Sequence, residues 1–174
     1  MLATSLTAAF VVWCFVSALF IVSILIKRND IADIAWGPGI ALATWTGWAA
    51  AGQPDDLGSI TVLTLVSLWA LRIGVRIARK NSQKPEDPRY ARWRESWGAW
   101  FYPRSYLQVY LLQGALMVVM SLLAQVVFTS GSSVALPLVL LAVAIWIIGF
   151  LFETIGDYHL DRFLADPDNK GKLM

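Results

Sequence analysis

Three acids and three arginines recur at helical spacing in this 174-residue chain, and both sets are suited to gripping a polar ligand. Glu153, Asp157 and Asp161 stand at i, i+4 and i+8, so a helix through them carries a ladder of carboxylates along one face. Such carboxylates accept hydrogen bonds from amide and hydroxyl donors. The segment that follows holds Asn169, Lys170 and Lys172. Arg72, Arg76 and Arg79 stand at i, i+4 and i+7 and present three guanidiniums on one helical face, a set that fits phosphate groups. A purely structural reading has these arginines snorkel to lipid headgroups or pair with acids on neighbouring helices, the carboxylate ladder included. Both roles can coexist.

Asp33 lies in an apolar stretch shortly after Lys27, Arg28 and Asp30. An acid there costs free energy unless it is capped, paired or used; helix capping and pairing with Arg28 are the structural readings. Gln108 and Gln113 are polar in an apolar segment, and Gln113 with Gly114 is suited to hydrogen-bonding across to a closely packed helix. His159 reads as a surface residue and Cys14, the only cysteine, as a small packing residue. No metal-ligand spacing occurs, so no metal is expected. A Gly-x-Gly-x-x-Gly sequence opening a helix is also missing, which argues against a Rossmann-type cofactor domain.

The elements that must hold these groups are membrane helices. Hydrophobic residues make up 57% of the chain and charged residues 15%, with a mean hydropathy of +0.60, outside the range of ordinary soluble domains. Five segments approach the roughly 20 apolar residues that span a bilayer: residues 6–26, 31–50, 60–78, 106–128 and 136–154. With five crossings, all fourteen Lys and Arg residues fall on one side, while the opposite loops, 51–59 and 129–135, contain Asp55 and Asp56 and no base. The positive-inside rule then puts the N-terminus outside and the C-terminus in the cytoplasm. The first segment lacks a basic residue before it and has Lys27 and Arg28 after it, so it reads as a retained helix rather than a cleaved signal. In the inside loop, 80–104, Tyr90, Trp93, Trp97 and Trp100 alternate with Arg89, Arg92 and Arg94, which predicts a short helix in the headgroup layer rather than a nucleic-acid site. The expected fold is an all-α polytopic transmembrane bundle of about five spanning helices plus that interfacial helix, forming one membrane domain over residues 1–174.

The run from Glu153 through Asp157, Asp161 and Arg162 to Asn169, Lys170, Gly171 and Lys172 resembles the C-terminal domain of the steroid 5-alpha-reductase family, especially its bacterial branch of uncharacterised membrane proteins. Further family-like pieces fall in order: Asp33-Ile34-Ala35-Trp36-Gly37, Leu68-Trp69-Ala70-Leu71-Arg72-Ile73-Gly74, Glu86-Asp87-Pro88-Arg89-Tyr90, and Leu107-Gln108-Val109-Tyr110-Leu111-Leu112-Gln113-Gly114. The resemblance implies a bacterial inner-membrane reductase that takes NADPH from the cytoplasmic face and reduces a conjugated carbon–carbon double bond in a lipid-soluble, steroid-like substrate. By resemblance, Arg72, Arg76, Arg79, Glu153, Asp157, Asn169, Lys170 and Lys172 would bind the cofactor, and Asp33, Trp36 and Gln113 would lie at the chemistry. The family's Gln-Glu pair on the second helix is not reproduced, and Arg76 stands near the place where relatives often carry a tyrosine, so a carbonyl-polarising tyrosine is missing or displaced. Relatives also continue into an Arg-His-Pro-Asn-Tyr-containing block beyond the present chain, from which the chain is expected to be incomplete as a catalyst. Two alternatives remain open at this point: an isoprenylcysteine-methyltransferase-like enzyme using S-adenosylmethionine, and a non-catalytic membrane protein. Membrane lipids are expected neighbours, nucleic acid is not, and oligomeric state is left open.

The charge asymmetry generates a topology test. In a background lacking Cys14, Ser133→Cys should react with an impermeant thiol reagent from outside the cell, and Ser82→Cys only after the inner face is opened. The reverse labelling pattern would invert the topology.

Overall fold

The computed structural model describes every residue except 83 and 132. It divides into two compact units, Met1–Ser133 and Val134–Met174, each considered by itself. Helices account for both units, and no strand occurs among the described residues. The all-α membrane bundle expected from the apolar runs is therefore the observed fold class.

In the first unit, α1 (Leu2–Ile26) ends in a left-handed turn at Lys27, φ 55°, where Lys27 N–H bonds to Ile24 O and Arg28 N–H to Ser23 O. This closes the helix in the pattern usually built on glycine; a lysine there costs about 1 kcal/mol of backbone strain. The chain then makes one turn of helix, α2 (Ile31–Ile34), breaks at Ala35 and enters α3 (Trp36–Ala50). Helix α4 (Leu57–Ser82) is started by Asp56, whose carboxylate accepts from the backbone N–H and the hydroxyl of buried Ser59, at 3.1 and 2.6 Å. Those bonds hold the Asp56 carboxyl below its ordinary pKa. Asp87 caps α5 (Pro88–Trp97) in the same way, accepting from Arg89 N–H at 2.8 Å, with Pro88 at the first position where its missing N–H costs nothing. A 3-10 turn leads to α6 (Phe101–Ser105), a π-helical segment (Tyr106–Leu111) and α7 (Leu112–Thr129).

Among the described residues, four helical stretches are long and apolar enough to cross a membrane: Leu2–Ile26, Leu57–Ser82, Pro88–Thr129 and Leu136–Ala165. The second expected span, 31–50, is divided at Ala35, leaving α3 with 15 residues, about 22 Å of helix. Short as it is, α3 is central. A Cβ on Gly37 would run into the backbone of Ala70 and the side chain of Ile73 on α4, one on Gly39 into Met117 of α7, and one on Gly47 into Gln125 of α7. Small residues let these backbones approach, which supplies the packing that lipid cannot drive by hydrophobicity. The buried cluster of Val12, Val16, Ala32, Ala35, Ile40, Ala43, Tyr90, Val109, Tyr110 and Met117 joins the interfacial helix α5 to α1, α3 and α7.

In the second unit, α8 (Leu136–Ala165) is one unbroken helix of 30 residues that passes from the apolar run directly into the acidic ladder. It stops at Asp166, whose carboxylate accepts from Asp168 N–H at 3.0 Å, and Asn169 Nδ2 donates to Phe163 O at 3.2 Å. These bonds fold the terminal segment back on the helix end.

Gly37 gives the fold its sharpest test, because the obstruction there is backbone. Gly37→Ala should lower stability by about 1–3 kcal/mol, read as a lower melting temperature in detergent. Gly114→Ala, whose Cβ would meet Val16 and Val12 at 3.2 to 3.5 Å, should cost less. Equal melting temperatures for Gly37→Ala and wild type would rule out this helix contact.

Candidate active site

A network of polar residues in the first unit lies where α1 and α4 finish, α3 and α5 begin and α6 ends. Asn29 and Asp30, in the turn between α1 and α2, are each only 3% exposed. Arg28 grips Asp30 with two bonds, Nε to Oδ1 at 3.1 Å and Nη2 to Oδ2 at 2.8 Å, and gives a third to Asn81 O at 3.0 Å. Asn81 Nδ2 returns to Asp30 O at 3.2 Å. The backbone N–H of Asn29 donates to Glu86 at 2.6 Å, its side chain donates to Ser105 Oγ at 2.9 Å, and its carbonyl accepts from Tyr110 OH at 3.3 Å. Arg94 binds both oxygens of Glu86, at 3.1 and 3.3 Å, while its guanidinium lies 4.2 Å from the Phe101 ring centroid.

Asp33 is placed by this frame, one helical turn after Asp30. Its Oδ1 accepts from Tyr90 OH at 3.0 Å and its Oδ2 from Arg89 Nη2 at 3.1 Å. Tyr90 is 2% exposed, whereas the Asp33 side chain keeps 24% of its surface open. Burial pushes the Asp33 carboxyl above its ordinary 3.8, and the Tyr90 hydrogen bond and the Arg89 charge pull the other way without cancelling it. Arg89 is itself divided, because Nε and Nη2 also bond Asp87 at 3.1 Å. The arrangement can present a carboxyl of raised pKa, fixed in direction by a phenol and a half-shared guanidinium.

Pairing with Arg28, the structural reading of Asp33, is overturned: Arg28 is spent on Asp30, two residues away in the same turn, and Arg89 of α5 reaches Asp33 instead. Trp36 is half-buried against the core cluster one turn beyond Asp33. Gln113 is half-buried on α7, and it is Gln125 that ties helices together, fully buried, accepting from Ser5 at 2.7 Å and donating to Ser121 at 2.9 Å. Arg72 and Arg76 are half-buried and Arg79 exposed along α4, the face expected from their spacing. In the second unit Glu153, Asp157 and Asp161 share α8, Lys170 and Lys172 are exposed, and Asn169 has committed its amide nitrogen to the helix end. Asn29, Asn81, Tyr90 and Ser105 were given no role by spacing. Tyr90 did carry a signal, lying in the Glu86-Asp87-Pro88-Arg89-Tyr90 segment, and it supplies a tyrosine hydroxyl from α5 rather than from the third long helix.

Asp33 binds its proton more tightly in the folded protein than in the unfolded chain. Its contribution to stability is therefore complete below the ordinary value of 3.8 and is lost as pH rises through the raised one. D33N removes this titration. The melting temperature of wild type relative to D33N should fall as pH rises from about 4 to about 7, followed by tryptophan fluorescence; a difference that grows with pH would mean that Asp33 is stabilised as the carboxylate.

Comparison with curated proteins and with solved structures gave no match. The family described as protein of unknown function (DUF1295) matches residues 19–174, a span that takes in the Asn29–Asp33 turn, the capped interfacial helix and the whole of α8. With nearly its full length so matched, the chain belongs to the DUF1295 family.

Proposed function

We propose that the protein is an NADPH-dependent membrane reductase that saturates a conjugated carbon–carbon double bond in a lipid-soluble carbonyl compound. The observation that carries this reading is the Asp33 carboxyl, raised in pKa and oriented by Tyr90 and Arg89 at the basic end of an apolar bundle. A carboxyl of raised pKa keeps its proton to higher pH than a free one, and in its protonated form can donate to a carbonyl oxygen and so draw electron density away from the double bond. Tyr90 is too deeply buried to meet a substrate and acts as a positioning residue; Asp33, the more open of the two, would touch the carbonyl.

The residues present suit the cofactor's charge. In the first unit exposed Arg79, with Arg72 and Arg76 on the same helical face, would hold phosphates; in the second unit, taken by itself, Lys170 and Lys172 are exposed cations suited to phosphate, and Glu153 and Asp157 would accept from amide and hydroxyl donors. Asn169 fits less well, since only its carbonyl oxygen remains for a ligand. When bound, NADPH would supply the hydride. An apolar substrate would enter from lipid and the charged cofactor from the cytoplasmic side, the side to which we assign the basic end, so that the reacting carbon is kept from water.

Cofactor class is tested by calorimetry on the chain, and on the chain extended by the Arg-His-Pro-Asn-Tyr-containing block of the steroid-reductase-like proteins. NADPH should bind more tightly than NADH and weaken in Arg79→Ala, while D33N should bind NADPH normally and lose turnover of an enone lipid by about a hundredfold or more. Binding of S-adenosylmethionine without NADPH affinity would replace the reductase by a methyltransferase.

A further inference from the structure

A cavity of ≈ 600 Å³ lies between α5 and the π-helical segment, lined by Trp93, Trp97, Leu107, Gln108, Val109 and Leu112. Its contents are not used by the Asp33 site. The two indoles stack with centroids 5.1 Å apart and planes 9° from parallel, and the Arg104 guanidinium sits 5.9 Å from the Trp97 ring centroid. Arg104 and Gln108 are four residues apart on successive turns, so both occupy one side of the helix, separated by roughly 6 Å along its axis. Both are exposed. Among the described residues, the ion pairs around the Asn29–Asp33 turn use Arg28, Arg89 and Arg94, and Arg104 takes part in none of these.

We propose that this cavity binds one anionic phospholipid, with its phosphate on Arg104, an ester carbonyl on the Gln108 amide and an acyl chain along Leu107, Leu112 and the stacked indoles. Indoles settle at headgroup depth, which fixes the level of the site. A guanidinium whose charge is not spent on a carboxylate is matched by phosphate, the anion that lies just above the indoles in a bilayer. A glutamine amide one turn deeper needs an acceptor in a region poor in water. The ester carbonyls of a glycerophospholipid lie below its phosphate by about one helical turn, the separation of Arg104 from Gln108. The proposal is independent of the reductase reading.

Native mass spectrometry of the delipidated full chain, titrated with phosphatidylglycerol and phosphatidylcholine of identical acyl chains, tests it. Wild type should take one phosphatidylglycerol about fivefold more tightly than phosphatidylcholine. Arg104→Gln should remove the preference, Arg104→Lys should keep most of it, and Arg92→Gln, one residue off the cavity wall, should leave it intact. Gln108→Leu should weaken both lipids alike, because the ester is common to them. Equal binding of the two lipids to wild type, a preference that survives Arg104→Gln, or loss of preference in Arg92→Gln would each overturn the assignment. So would displacement of phosphatidylglycerol by a neutral enone lipid, which would hand the cavity to the substrate.

Discussion

The turn between α1 and α2 puts two strongly polar residues, Asn29 and Asp30, almost out of reach of water at the foot of an apolar bundle. Each of their buried groups has to find a partner in the protein, since an unpaired one costs about 1–3 kcal/mol and a bare carboxylate more. The partners come from everywhere: Asn81 from α4, Glu86 from the loop before α5, Ser105 from α6 and Tyr110 from the π-helical segment. Four backbone and side-chain demands are thus met by elements distant in sequence, and they can be met together only if these helix ends converge. Stripping Arg28 from Asp30 would leave a carboxylate with 4% of its side-chain surface open, a loss of about 3–5 kcal/mol. The position of Asp33, one turn further on, is inherited from this knot.

Apolar packing supplies the remainder of the geometry but in a different currency, because lipid tails are as apolar as leucine and give helices no reason to associate. What α3 offers instead is absence of bulk: Gly37 lets the backbone of α4 come up against it, and Gly39 and Gly47 make room for Met117 and Gln125 of α7. The far end is tied by Gln125, which is wholly buried and bonded to Ser5 of α1 and to Ser121 one turn away on α7. A helix too short to qualify as a span by length becomes the axis of the unit because its glycines let α4 and α7 close on it, with Gln125 packed on Gly47 near its end. The π-helical segment belongs to the same design, since it turns Tyr106 to Ser17 and Tyr110 to Asn29 while both rings pack on Phe20.

Much of this was legible in the residue order. The apolar runs located the long helices, the basic residues marked one end, and Tyr90, Trp93 and Trp97 alternating with arginines announced the interfacial helix; local rules decide these features. The acidic ladder on α8 was legible for the same reason. Which acid would meet which arginine was not. Arg28 is two residues from Asp30 and five from Asp33, within side-chain reach of either by sequence, and it is α5 that supplies the partner of Asp33, bringing Arg89 across from 56 residues away. The break at Ala35 does have a local signal, Pro38, which lacks the N–H that would bond the carbonyl of Ile34 four residues back; the glutamine that matters for packing could not be told from Gln108 and Gln113, which look the same in an apolar run.

Asp30 and Asp33 are separated by one turn of chain and show how surroundings divide labour between like groups. Both oxygens of Asp30 are held by the two-armed grip of a single arginine, in a spot closed to solvent, and nothing else can be asked of that carboxylate. Asp33 receives one bond from a neutral phenol and one from an arginine that is over half exposed and shared with Asp87, so screening weakens the very charge that would lock it as an anion. Desolvation then prevails and lifts its pKa, at a cost in stability near neutral pH. A second buried fork on Asp33 would hold it as an anion and make the fold more stable. The sharing of Arg89 is therefore what leaves the Asp33 carboxyl with a raised pKa, and the tight pairing of Asp30 is what makes that concession tolerable.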